Sequence, residues 1–214
     1  MANRPVIVIG GGGHARVQIS VLKALRREII GILDSDEALI GQLVSGALIL
    51  GNDNKLKDYA PEMVELVNGL GSISLPEKRK DIYTKFKNDG YSFASVIHPS
   101  AIVMDDVQFG EGVQIMAGAI VQNGCVIGDN VIINTGAVVD HDCIIGIHTH
   151  IAPGAVLSGN VQVGAMAHIG TAATVIQGIK IGEGVIVGAG AVVIKDISNG
   201  KKVVGNPAKE INAI

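Results

Sequence analysis

Residues 121–151 read VQNGCVIGDNVIINTGAVVDHDCIIGIHTHI, with an aliphatic residue at every sixth position: Val121, Ile127, Ile133, Val139, Ile145 and Ile151. Outward from this stretch the phase holds from Ile97 to Val193, through Phe109, Leu157 and Val175, for seventeen positions without a break. A second register follows four residues behind, from Ala101 to Ile197, and every member is small or aliphatic. Gly, Asn and Asp gather between the registers, as in Gly128-Asp129-Asn130 and Gly182-Glu183-Gly184. A period of six is neither 3.6 nor 2, so amphipathic helices and ordinary hairpins both fail. It matches the hexapeptide β-helix, in which each hexad is a short strand and a turn.

Three hexads close one triangular coil, so stacked residues lie eighteen apart. The first register is predicted to point inward, Phe109 included, and the second to fill the corners. About five to six coils at strand spacing make a prism on the order of 27 Å long. Coils stabilise one another by stacking. An unpartnered charge placed inward is therefore expected to cost roughly several kcal/mol. Cys125 and Cys143, eighteen apart, are predicted to stack on adjacent coils within bonding distance in principle, and are read as two buried thiols acting as small hydrophobes.

The composition agrees. Hydrophobic residues make up 48% and charged ones 17% of the 214 residues, which excludes a disordered chain. Aromatics are only 3%, with no Trp and 29 Gly, as thin aliphatic layers and tight turns require. A net charge of -3 gives no reason to expect nucleic-acid or membrane-surface binding. No apolar window is long enough to cross a bilayer, and the opening MANRPVIVIGGGG is too briefly apolar for a signal peptide. Two cysteines cannot form a disulfide framework, so a cytoplasmic location is expected.

Residues 5–95 show no hexad. Val6–Ile9 reads as a buried strand, followed by Gly10–Gly13, a helix from about His14 to Arg27, and a strand over Ile29–Leu33 that ends at Asp34. Gly10-x-Gly12-x-x-Ala15 with Asp34 fits half of a dinucleotide-binding unit. Glycines let a ligand approach the backbone, the helix N-terminus attracts anions, and the acid can accept from a ribose hydroxyl. Further strands are predicted near Ala47–Leu50 and Met63–Val67, a second glycine turn at Asn68–Gly71, and a helix from Glu77 to Asn88. Fewer than about a hundred residues is too short for a two-halved Rossmann domain, which argues against hydride transfer and for a mononucleotide or nucleotide-sugar pocket. A glycine turn that merely joins strand to helix is the alternative. Residues 1–95 are thus read as an α/β Rossmann-like nucleotide-sugar domain, and 96–214 as an all-β parallel β-helix.

The two halves together resemble the sialic acid and bacillosamine sugar acetyltransferase family, whose members join a Rossmann-like N-terminal domain to a left-handed β-helix. The resemblance rests on Val8–His14, Asp34-Ser35-Asp36, Ile97-His98-Pro99-Ser100-Ala101, and Asp140–Gly146 with His150. It extends through Gly154-Ala155, Ser158-Gly159-Asn160 and the tail Val204–Lys209. It implies that His141 is the catalytic base, assisted by the following acid. That acid is Asp142 here, one methylene shorter than the glutamate of the bacillosamine enzymes. It also implies acetyl-CoA contacts at His150, Gly159, Thr171 and Ala189. For the nucleotide-sugar pocket it implies Gly12, Gly13, His14, Asp34, Ser35, Gly69 and Gly71. The family is typically a homotrimer with acetyl-CoA between neighbouring β-helices.

The chemistry of the residues is compatible. A histidine with a pKa of about 6.5 suits the base that acyl transfer needs, and a carboxylate can fix its tautomer. His141 and Asp142 lie in the turn between Val139 and Cys143, where side chains are expected to face outward. A solvated turn histidine is the bland reading of the same residue. His150 and His168, eighteen apart, are predicted to stack, with His148 nearby. Such a face raises a zinc hydratase of the γ-carbonic anhydrase kind. The histidines do not reproduce that enzyme's pattern, and it leaves the N-terminal glycines unexplained, so no metal is expected. Lys180, Lys195, Lys201, Lys202 and Lys209 could seat the phosphates of CoA or form an ordinary solvated end cap. The expected reaction is acetyl-CoA-dependent N-acetylation of a nucleotide-linked 4-amino sugar in glycan or polysaccharide biosynthesis. O-acetylation of a sialic-acid-like sugar is the second reading, and a non-catalytic sugar-nucleotide binding protein the third.

Overall fold

The structure is a computed structural model that describes residues 4–211. The chain forms two compact units. One ends its first pass at Gly71 and resumes over Lys78–Pro99; the other takes Ser72–Glu77 and the described chain from Ser100 onward.

In the first unit β1 (Val6–Ile9) is followed by α1 (Gly13–Ala24), β2 (Ile29–Leu33), β3 (Leu43–Val44), β4 (Ala47–Gly51), β5 (Glu65–Asn68) and α2 (Glu77–Asn88). The sheet order is β3-β4-β2-β1-β5. The pairs β1–β2, β1–β5 and β2–β4 are parallel, and only the β3–β4 hairpin is antiparallel. A central parallel strand is covered on both faces, which explains why Val6–Ile9 is apolar throughout and buried throughout. Ile7, Leu33, Leu66, Tyr83, Phe86 and Phe93 share one core, with the Tyr83 and Phe93 ring centroids 4.7 Å apart. Two boundaries differ from expectation by more than one residue. The first helix stops at Ala24 rather than Arg27, because Arg26 turns left-handed at φ 53°. The strand expected to begin at Met63 begins at Glu65, and Met63 is exposed.

In the second unit two-residue strands recur every six residues, from Ile102–Val103 to Val192–Val193. Each pairs in parallel with strands eighteen residues away, as in Val121↔Val139 and Val139↔Leu157. From Ile115 through Val193 every inward position is 3% exposed or less. Phe109 corrects the prediction. It is exposed, because Gln108–Phe109 is the end strand of its face. The corner register is buried from Val107 to Ala191. Its polar members are satisfied: Thr149 Oγ1 donates to the Gly164 carbonyl at 2.9 Å, and the free thiols of Cys125 and Cys143 donate to the Asp140 and Ser158 carbonyls. From Gly112 to Gly190 every sixth residue lies in the left-handed region; most of these are Gly, Asn or Asp, which adopt it readily, and His148, Met166 and Ala172 are the others.

Candidate active site

His141 occupies a turn whose backbone is fixed on both sides by the neighbouring coils. Asp142 N–H donates to the Asn123 carbonyl at 2.9 Å, and Asn160 N–H donates to the His141 carbonyl at 2.8 Å. The Asp140 carboxylate accepts from His141 N–H at 2.8 Å. Asp142 sits at φ 59°, a conformation that Asp tolerates better than most residues. Its Oδ2 lies 2.8 Å from His141 Nδ1. This hydrogen bond raises the His141 pKa above its ordinary 6.5, and nearby Asp140 adds to the effect. With Nδ1–H committed to the carboxylate, Nε2 carries the lone pair of the neutral ring.

Two glycines make room for the pair. A Cβ at Gly124, one coil before Asp142, would lie 2.4 Å from Asp142 Oδ1. A Cβ at Gly159, one coil after His141, would lie 2.4 Å from Nε2. Gly159 thus touches the imidazole rather than the cavity that holds the other expected cosubstrate residues. Sequence reading missed Gly124, although counting eighteen back from Asp142 finds it.

That cavity, of about 430 Å³, brings together His150, Thr171 and Ala189, with Ser72, Asn134 and His168 on its wall. Ser72 belongs to the short segment that packs with the β-helix unit. His150 is 4% exposed, with Nδ1 2.8 Å from Ser72 Oγ and Nε2 3.0 Å from Asn134 Nδ2. The rings of His150 and His168 meet edge to face at 5.0 Å, which fulfils the predicted stacking. Burial lowers the His168 pKa, and its buried Nδ1 has no hydrogen-bond partner. His148 is buried in a left-handed turn, where Asn130 contacts its Nδ1. Among the described residues no group of three or more His, Cys, Asp or Glu side chains could hold a metal ion.

The first unit has a cavity of about 350 Å³ at the C-terminal end of its parallel strands. Gly12, Gly13, His14, Asp34, Ser35, Gly69 and Gly71 all line it. Gly12 caps α1 without a side-chain hydrogen bond, so the helix N-terminus offers backbone donors to an anion. Asp34 is already engaged: Oδ2 accepts from Gly11 N–H at 2.6 Å and Oδ1 from Asp36 N–H at 2.9 Å. It braces the glycine turn, and a carboxylate has further lone pairs for a ribose hydroxyl. Gly69 is required by close packing, since a Cβ there would lie 2.7 Å from the Gly10 carbonyl oxygen. The fully buried Arg79 donates to the Asn68 and Leu70 carbonyls and so fixes this turn. Burial lowers its pKa to about 9, which leaves it a cation at neutral pH.

The basic end does not form a single seat. Lys195 and Lys201 line one cavity together with Asp196 and Glu210, and Lys201 pairs with Glu210 at 2.6 Å. Lys202 instead lines the His150 cavity, and Lys180 another surface.

A histidine–carboxylate pair on the corner of a hexapeptide β-helix, in a chain that also carries an α/β unit with an anion-accepting glycine turn, defines an acyltransferase of the hexapeptide class. Comparison with known proteins agrees. The PglD N-terminal domain family matches residues 5–86, and the bacterial transferase hexapeptide (six repeats) family matches residues 106–141 and 124–159. A search of curated proteins found no match. PerB from Caulobacter crescentus, solved in complex with CoA and GDP-perosamine, is 40% identical over 97% of this chain and 97% of that one, with a TM-score of 0.90. That enzyme, a perosamine N-acetyltransferase, was also solved with the same ligands in variants whose histidine is replaced by asparagine or alanine. The acetyltransferase domain of PglB from Neisseria gonorrhoeae FA1090, in complex with acetyl-coenzyme A, is 38% identical over 98% and 100%, with a TM-score of 0.90. WeeI from Acinetobacter baumannii AYE is 26% identical over 98% and 100%, with a TM-score of 0.83. The chain belongs to the hexapeptide-repeat sugar acetyltransferase family, and its coil stack fits the left-handed β-helix of that family.

Proposed function

We propose that this protein transfers the acetyl group of acetyl-CoA to the amino group of a nucleotide-linked 4-amino sugar, with His141 as general base and Asp142 as its orienting acid. The observation that carries this reading is the contact between His141 Nδ1 and the Asp142 carboxylate, which can only accept. Asp142 holds Nδ1–H at 2.8 Å, which leaves Nε2 as a proton acceptor on a half-exposed ring. Acetyl-CoA supplies an activated acyl group as a thioester. The sugar nitrogen forms the new bond to the acyl carbon, and the bond to sulfur breaks. His141 Nε2 accepts the proton that the nitrogen loses and can return it to the departing sulfur. The imidazolium formed in between is stabilised by Asp142.

The ligands of the relatives support both halves of the reading. PerB holds CoA and GDP-perosamine, and PglB holds acetyl-coenzyme A. Histidine variants of the Caulobacter enzyme were solved with both CoA and GDP-perosamine bound, as expected for a residue needed for chemistry rather than binding. The cavity around His150, Thr171 and Ala189 combines an apolar wall with a few hydroxyl and amide groups, which fits the arm of CoA. The glycine turn, the bare helix N-terminus and Asp34 fit a nucleoside diphosphate sugar.

The same reading includes a homotrimer. Ile102, Ile120, Val138 and Val156 form an outward apolar column on one β-helix face, continued by Thr174 and Val192, with Ile102 52% exposed, and a neighbouring copy would cover it. Light scattering on the purified chain tests that state. A cytoplasmic location fits the two free thiols, and no described helix is long and apolar enough to cross a membrane.

The decisive assay follows thiol release from acetyl-CoA across a panel of nucleotide-linked amino sugars. One or more should be acetylated. His141→Ala should then lose about 10²- to 10⁴-fold in kcat with an unchanged melting temperature. Near wild-type turnover in that variant refutes the base assignment. Silence of the wild type toward every amino sugar favours a binding protein.

A further inference from the structure

His150 is the expected cosubstrate contact, yet both of its ring nitrogens are engaged within the chain. Asn134 Oδ1 accepts from Thr135 N–H at 2.8 Å. A backbone N–H can only donate, so this bond fixes the amide with Nδ2 facing His150. Asn134 Nδ2 therefore donates to His150 Nε2 at 3.0 Å, and Nε2 must be the unprotonated nitrogen. The proton of the neutral ring then sits on Nδ1, which donates to Ser72 Oγ at 2.8 Å. A serine hydroxyl has one proton and two lone pairs. With one lone pair taken by His150, the Ser72 proton cannot point at the ring and needs another acceptor. Ser72 is half-buried on the wall of the cavity that also holds Thr171 and Ala189.

We infer that Ser72 is a cosubstrate-binding residue, whose hydroxyl is oriented by His150 and donates to a carbonyl oxygen of the acyl-pantetheine arm. His150 is then a positioning residue that acts through Ser72. The chain of donors runs one way, from the Asn134 amide to the His150 ring, from the ring to the Ser72 hydroxyl, and from the hydroxyl to the ligand. The inference rests on the reading that acetyl-CoA occupies this cavity.

The test uses the full chain. Calorimetry should show Ser72→Ala binding acetyl-CoA about tenfold more weakly than wild type, the size of one lost neutral hydrogen bond. Ser72→Thr, which keeps the hydroxyl, should restore most of the affinity, and the KM for the amino sugar should not change. If acetyl-CoA weakens and CoA does not, the acceptor is the thioester carbonyl. If both weaken alike, it is an amide carbonyl of the arm. Long-range ¹H–¹⁵N spectra should show His150 protonated at Nδ1. Three results overturn the inference: unchanged affinity in Ser72→Ala, a loss that Ser72→Thr does not recover, or a proton on Nε2. A wild type that binds neither ligand refutes the functional reading itself, an outcome distinct from a wild type that binds normally beside an unaffected Ser72→Ala.

Discussion

His141 and His150 lie half a coil apart on one scaffold and have opposite environments. His141 stands on a corner, its side chain 51% exposed, with a carboxylate on Nδ1 and a raised pKa. His150 lies on a flat face, 4% exposed, between an amide and a hydroxyl. Both rings are orientated through hydrogen bonds, but the first is held by a carboxylate that welcomes a second proton and the second by a hydroxyl and an amide. An exposed ring paired with a carboxylate can pick up and release a proton. A buried ring between neutral groups holds one tautomer and passes on a direction. Exposure and partner charge, rather than residue type, divide the two roles.

The sharpest way to break this contrast is to move the His141 ring without touching it. Gly159 has no left-handed backbone requirement, so alanine fits its conformation. The three atoms nearest the added methyl all belong to the imidazole: Nε2, Cε1 and Cδ2. Displacing a catalytic group by about 1 Å can cost about a hundredfold in rate. Gly159→Ala should therefore lower kcat on that scale while the melting temperature changes little. The loss should vanish in the His141→Ala background, because a misplaced base and a missing base remove the same step. Additive losses in the double variant would show that Gly159 acts elsewhere, for example on the cosubstrate.

A smaller effect tests the partner charge. Asp142→Asn keeps a residue that tolerates the left-handed φ of 59° and removes the anion. General-base catalysis needs neutral His141, so activity should rise as pH increases through its pKa, which lies above 6.5 in the wild type. Without the carboxylate that limb of the kcat profile should shift to lower pH. An unmoved limb would assign the titration to another group, such as the substrate amine.

Much of this scaffold was legible in the sequence because stacking obeys fixed arithmetic. Inward and corner residues from Ile115 to Val193 follow from a period of six, and so does the outward turn that carries His141. The same arithmetic places Gly124 under Asp142 and Gly159 over His141, once residues are counted in eighteens. It fails for Phe109, since periodicity assigns a side but cannot show that a strand lacks a neighbour on one edge. It is silent on Ser72, whose partner lies 78 residues away and belongs to no repeat. Arg79 was hidden for a different reason. A charged residue in a short polar helix reads as solvated, and only tertiary structure reveals the two carbonyls that accept from its buried Nη1. The glycine turn was legible as a pocket, but the bracing of its backbone by Asp34 was not, because that depends on where the second strand delivers the carboxylate.

The smallest predicted effect concerns the ring that stacks on His150. Burial lowers the His168 pKa below 6.5, so the folded state disfavours its protonated form. Between the folded pKa and 6.5 the unfolded chain binds more protons than the folded one, and stability there increases with pH. The contribution is complete above 6.5 and is lost as pH falls through that window. The melting temperature should therefore drop by a few degrees between about pH 7.5 and pH 5.5. His168→Phe removes the titrating nitrogens and keeps a flat ring against His150, so its decline over the same interval should be shallower. His141 lends itself to the opposite sign, since a raised pKa favours the folded state at low pH, but its exposure to solvent makes that contribution slight. Equal slopes for wild type and His168→Phe would mean that the ring is hydrated, and the contrast between an exposed proton carrier and a buried neutral pair would lose half of its basis.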